Sequence, residues 1–170
     1  ITIETYVGQG SKCHLVGLPD STIKEAILRV ESSMKQMGCF FPRRKVVINL
    51  APANVRKEGS AYDLAIALSI IQASEQVELP DLPQFVIMGE LALDGVIRPI
   101  KGALPIALEA RRNGIQKIIL PKANAHEAAF VEDLEVFGME NLQETVQFLR
   151  GKTFHTSIKS VQPFMPSSQS

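Results

Sequence analysis

Stretches that alternate apolar and polar residues at every second position are interleaved along this chain with stretches whose apolar residues recur every three to four. That mixed order restricts the fold to α/β or α+β. Strand candidates are Thr2 to Val7, Cys13 to Val16, Lys45 to Leu50, Phe85 to Leu91, Val96 to Pro99, the short buried-looking Lys117 to Leu120, and Glu135 to Phe137. Helices fill the gaps. The first runs from about Ser21 to Met37, with Ile23, Ala26, Ile27, Val30, Met34 and Met37 on one stripe. Asp20 or Ser21 can cap its start, and Gly38 supplies a left-handed stop.

A second helix opens with Ser60-Ala61-Tyr62-Asp63, a capping-box-like pair that places Asp63 at the positive end of the helix dipole. Its body, Leu64 to Ile71, is apolar nearly all round, which requires burial between a sheet and another layer. Asp94-Gly95 then predicts a hairpin closed by a type I′ turn, with both central residues at positive φ. A third helix spans Ala103 to Arg112 and ends at Asn113-Gly114, a fourth lies around Ala125 to Phe130, and a last one is capped by Asn141 and Glu144 and ends near Arg150.

The chain has 170 residues, 45% of them apolar, enough to build a single core. Its 18 basic and 18 acidic residues cancel, so any contact with nucleic acid must come from a local patch. Two cysteines make no disulfide framework and no signal peptide is visible, which points to the cytoplasm. The most apolar stretch, Leu64 to Ala73, is about half the length a membrane span needs. The start at Ile1 within an alternating pattern suggests an excised piece whose first strand is missing. The Ser-, Thr-, Gln- and Pro-rich end reads as a linker to another domain.

Several candidate chemistries fail on spacing. Gly151-Lys152-Thr153 is half of a phosphate-binding loop, but position 146 is Val146, in a predicted helix, where the motif needs Gly. Cys13, His14, Cys39, His126 and His155 lack the pairwise spacing of a zinc site and read as small core thiols and surface histidines. Glu132, Asp133 and Glu135 read as a solvated face, and Arg111 and Arg112 as complements to a helix C-terminus. The segment Leu50 to Asp63 is more informative: a strand end, a loop with Arg56, Lys57, Glu58 and Gly59, then the start of the buried helix. Two readings stay open there. The helix start with its Lys and Gly can hold an oxyanion or phosphate, or Ser60 and Asp63 simply cap the helix while the charges face water.

Val16-Gly17-Leu18-Pro19-Asp20, Lys24-Glu25, Arg29-Val30, Phe41-Pro42, Asn49-Leu50-Ala51-Pro52-Ala53, Arg56-Lys57-Glu58-Gly59, Asp63 to Leu68, Gly89 to Gly95 and Arg98 to Gly102 follow one another in an order that resembles the N-terminal domain of the magnesium-chelatase-like AAA+ ATPases of the ComM/YifB type. The resemblance runs from about Thr5 to Arg150. It implies a Lon-protease-like fold, shared with a ribosomal-protein second domain, in which helices pack a mixed sheet and one βαβ crossover is left-handed. It also implies a domain over 1–150 and a linker over 151–170 toward an AAA+ domain that carries ATP and Mg, with no cofactor or metal in this fragment. Partners implied are that AAA+ domain, further copies in a hexamer, and DNA undergoing branch migration in recombination and natural transformation; no membrane is implied.

Lon-type peptidases use a Ser nucleophile and a Lys base. The matching positions here are Ala61 and Leu104, so both members of the dyad are absent. The expectation is a non-catalytic accessory domain for subunit assembly or DNA guidance, with Arg43, Arg44, Arg56, Lys57 and Lys101 as candidates for phosphate or partner-carboxylate contact. Two alternatives are a cryptic peptidase using the neighbouring Ser60 and Lys101, and a purely structural oligomerisation domain.

Overall fold

Two small sheets and a hairpin organise the chain in a computed structural model that describes residues 2–8, 13–16, 20–42, 45–51 and 60–151, with side chains described within 24–42 and 60–151. The first sheet holds β1 (Thr2–Gly8), β2 (Cys13–Val16) and β3 (Lys45–Ala51) in the order β1-β3-β2. β1 runs antiparallel to β3, Thr2 opposite Ala51 and Gly8 opposite Lys45, whereas β2 runs parallel to it. The sheet is therefore mixed, as expected. Its parallel pair is joined through α1 (Asp20–Gln36), and Gly38 takes the left-handed conformation, φ +84°, that ends this helical segment.

α2 (Asp63–Ala73) follows the first sheet and packs against β1 and α1. Leu64, Ile66, Ala67, Leu68, Ile70 and Ile71 have no exposed surface, because a helix apolar on every side needs cover on every side. The second sheet supplies the rest of that cover. It contains β4 (Phe85–Ile87), β7 (Lys117–Pro121) and β8 (Glu135–Met139), all parallel, in the order β4-β7-β8; β5 (Glu90–Leu91) and β6 (Ile97–Arg98) form the separate hairpin. The period-2 alternation of β7 and β8 sends Ile119, Phe137 and Met139 into one core with α2 and α5 (Leu142–Leu149). It sends Ile118, Leu120 and Val136 into a second core beneath α3 (Ala103–Arg112) and α4 (Lys122–Ala128). A parallel sheet covered on both faces reads as the continuous apolar run Ile118-Ile119-Leu120 for this reason.

Two local expectations are corrected. The predicted strand Phe85 to Leu91 breaks after Ile87, so that β4 pairs with β7 and β5 with β6. Gly89 is the break: its N–H donates to the Ala61 carbonyl at 2.8 Å, and a Cβ there would stand 2.9 Å from Ile97 Cγ2. The hairpin is not a type I′ turn, since Gly95 has positive φ (+93°) and Asp94 does not. The Gly95 N–H donates to the Ala92 carbonyl at 3.0 Å and the Ala92 N–H to the Val96 carbonyl at 2.8 Å, which is a three-residue loop with glycine at the bulge. Asp94 acts through its side chain, accepting the Val96 N–H at 3.1 Å. Elsewhere α3 has the expected bounds, α4 begins three residues early, and Asn141 caps α5 by accepting the Glu144 N–H at 2.7 Å.

Candidate functional site

The start of α2 is where the sequence placed its site, and the cap expected there is not formed. Tyr62 is the residue before the helix and makes no side-chain cap; Ser60 contributes its backbone carbonyl to the Asp63 N–H at 3.1 Å. Asp63 is instead buried, at 1% exposure, because α1 crosses α2 and brings a guanidinium to it. Arg29 Nε donates to Asp63 Oδ2 at 2.6 Å and Arg29 Nη2 to Oδ1 at 3.1 Å, the two-pronged fit of a guanidinium to a carboxylate. The Leu91 N–H donates to the same Oδ2 at 3.1 Å.

Burial pushes the Asp63 carboxyl above its ordinary range, with Glu90 adding to the push and the Arg29 and Leu91 hydrogen bonds pulling against it. The same pairing holds the Arg29 guanidinium above its ordinary value. The sequence places Arg29 only among the ordered family motifs and gives no sign of its pairing with Asp63. Arg29 stands 34 positions from Asp63, and no helical or strand period links residues so far apart.

Backbone bonds extend this junction. The Leu64 N–H donates to the Gly89 carbonyl at 3.0 Å, so α2 enters directly beside the β4–β5 bend. From α1, the Ser33 hydroxyl donates to the Ala92 carbonyl at 2.8 Å and the Ser32 hydroxyl to the Leu93 carbonyl at 2.6 Å. From the other side, the Ile97 N–H donates to the Glu140 carbonyl and the Leu142 N–H to the Gly95 carbonyl. The hairpin is thus clamped between α1, α2 and the β8–α5 junction.

Lys101 lies on the exposed loop before α3. That loop is held by Asn124, whose Oδ1 accepts the Ile100 N–H at 2.8 Å and whose Nδ2 donates to the Ile100 carbonyl at 2.9 Å. Gly102, at φ +76°, turns the chain into α3. Ala61 and Leu104, the two positions that the family resemblance matches to a peptidase dyad, both pack against the second apolar core. Ser60 is half-buried, and its hydroxyl forms no hydrogen bond with the Lys101 amine. Arg43, Arg44, Arg56 and Lys57 lie outside the described residues, as do His155 and the segment 152–170. Among the described residues no three His, Cys, Asp or Glu side chains are grouped to hold a metal ion, and no helix is long and apolar enough to cross a membrane. Val146 sits within α5, so Gly151-Lys152-Thr153 follows a helix rather than a strand and does not fit an ATP phosphate loop.

A family model described as the ChlI subunit of Mg-chelatase matches residues 3–124. Over 153 residues the chain is 39% identical to the competence protein ComM of Haemophilus influenzae and 42% identical to the YifB protein of Salmonella typhimurium, covering 89% of this chain and 30% of each relative. The chain therefore spans about a third of the length of these curated relatives. More distant similarity reaches the DNA repair protein RadA of Aquifex aeolicus, 30% identical over 68% of this chain and 24% of RadA. It also reaches an archaeal Lon protease of Pyrococcus abyssi, 26% identical over 73% of this chain and 13% of the protease. Both matches agree with the mixed α/β, Lon-like architecture.

Proposed function

The chain belongs to the family of the Mg-chelatase subunit ChlI, and from that premise we propose that it serves a larger AAA+ ATPase of the ComM/YifB type as a non-catalytic accessory domain, guiding DNA or joining subunits. ATP hydrolysis with Mg is assigned in this reading to the part of the relatives that this chain does not cover, and branch migration of DNA during recombination and transformation to the assembled motor. Partners are then the AAA+ domain, further copies in a hexameric ring, and DNA. A cytoplasmic setting follows from that role.

The observation that carries the accessory reading is the pair Ala61 and Leu104. Both helix starts are positioned, by the Gly89 backbone bonds and by the Asn124 clamp, yet present an apolar surface where hydrolysis would need a hydroxyl and an amine. What such a site offers is shape and the basic residues around it: Arg56, Lys57 and Lys101 near the two helix starts in sequence, with Arg43 and Arg44 leading into β3. Binding of labelled single- and double-stranded DNA over a salt series tests this. Each neutralised phosphate lowers log K by about 0.9 per unit of log salt on duplex and about 0.7 on single strands. Failure to bind either form at low salt removes the DNA role and leaves assembly. A strictly monomeric mass at high concentration counts against assembly.

A further inference from the structure

The solvent side of α1 includes a leucine. Lys24, Leu28, Glu31 and Lys35 follow one another at helical spacing along one stripe and are all exposed, Leu28 at 64%. Among the described residues Lys24, Glu31 and Lys35 take part in no ion pair. The other faces of the helix are committed: Ala26, Val30, Ser33 and Met34 are buried, and Arg29 is paired with Asp63 and Glu25.

A second leucine borders the stripe. Ser32, one turn after Leu28, donates its hydroxyl to the Leu93 carbonyl at 2.6 Å, and the Leu93 side chain is 59% exposed at the tip of the hairpin. That tip is fixed, by the Ser33 hydroxyl on the Ala92 carbonyl and by the Leu142 N–H on the Gly95 carbonyl. A single exposed leucine is ordinary. Two leucines from separate elements, one helical turn and one hydrogen bond apart, make a rigid apolar patch rimmed by charge.

The order of charges along the stripe selects what covers it. Lys24 precedes Leu28 and Glu31 follows it, and the two charges are equally far from the point between Ile27 and Leu28. A second α1 laid antiparallel about a two-fold axis at that point sets Lys24 of each helix opposite Glu31 of the other. Leu28 of each then meets Leu28 and the half-buried Ile27 of the other. A parallel, in-register pair sets Lys24 on Lys24 and Glu31 on Glu31. The antiparallel register that pairs Glu31 with Lys35 carries Leu28 to Gly38, past the end of the helix. Along this stripe only the first register joins opposite charges and leucines together.

We propose that this face of α1, with Leu93 beside it, is a two-fold contact between two copies of the chain. The proposal rests on the subunit-joining half of the reading above and gives it a face. A ring closes through head-to-tail contacts, so a two-fold contact links one ring, or one free chain, to another. One helix and one hairpin tip per copy make an interface in the small class, below about 1,200 Å², and the dimer is expected to form only at high concentration. The paired charges set its register.

The test is sedimentation of the whole chain at low salt over a rising concentration series. A monomer–dimer equilibrium is expected for the unaltered chain. Lys24→Glu and Glu31→Lys each make both symmetry-related pairs repulsive, and each is expected to weaken the dimer about tenfold or more. Leu28→Ser is expected to weaken it as well. An equimolar mixture of the two charge variants is expected to dimerise again, since each copy carries the sign that the other lacks. Damaged folds would not recover on mixing, so recovery separates a contact from a structural defect. An oligomer that neither charge variant weakens, or variants that stay monomeric when mixed, overturns the α1 contact and leaves subunit joining to another face. An unaltered chain that stays monomeric at high concentration overturns the contact together with the subunit-joining reading of this chain.

Discussion

Asp63 and Arg29 show how one residue can be misassigned from local pattern alone. An acidic residue in the first helical turn is favourable at the surface, but at 1% exposure Asp63 needs a full set of partners, and Arg29 with the Leu91 N–H supplies them. Asp63→Asn removes the negative charge and leaves the guanidinium of Arg29 with only the exposed Glu25 carboxylate, at 3.8 Å, as an ion-pair partner. It is expected to cost about 3–5 kcal/mol in chemical denaturation. The double variant Arg29→Leu/Asp63→Leu removes both charges, and recovery of much of that loss is expected, because replacing a whole buried pair by apolar side chains is often close to neutral. Gly89 is the other residue under tight constraint. Gly89→Ala drives a methyl against Ile97 Cγ2 at 2.9 Å, and a loss of about 1–3 kcal/mol by the same measurement is expected.

Secondary elements were legible where a local rule decides them. The end of α3 was placed by Asn113-Gly114, and the cap of α5 because Asn141 and Glu144 stand at capping distance in sequence. Asn141→Ala is expected to cost about 1 kcal/mol in stability. Asn124→Ala is a sharper case, since its two hydrogen bonds to Ile100 cross 24 residues and no local rule signals them. That substitution should leave the core intact and speed amide exchange at Ile100, beside Lys101, measured by hydrogen–deuterium exchange. The β4–β5 break escaped the sequence reading because Phe85 to Met88 is a continuous apolar run leading into Gly89-Glu90-Leu91, and only the approach of α2 forces the bend; the hairpin loop escaped it because Asp94-Gly95 suits a two-residue turn as well as a three-residue loop with glycine at the bulge. The candidate site was legible to the same degree. Position along the chain located the start of α2 and the apolar pair Ala61 and Leu104, whereas the clamp around them is built from contacts distant in sequence.

At the scale of the whole molecule, the parallel sheet β4-β7-β8 separates two cores, and β7 belongs to both. Ile119 faces α2 and α5, while Ile118 and Leu120 face α3 and α4, and all three are fully buried. β7 also pairs on both edges, with β4 and with β8, so none of its central amides opens without separating strands and exposing two apolar faces together. Local fraying cannot reach it, and exchange at Ile118, Ile119 and Leu120 has to follow unfolding of the sheet as a unit. These amides are expected to exchange more slowly than those of the exposed loop at Lys101, and to lose their protection in step with the stability lost in Asp63→Asn. Exchange at β7 that stayed slow in that variant would mean that the Arg29–Asp63 junction secures only α1 and the hairpin, leaving the parallel sheet as an independently stable unit.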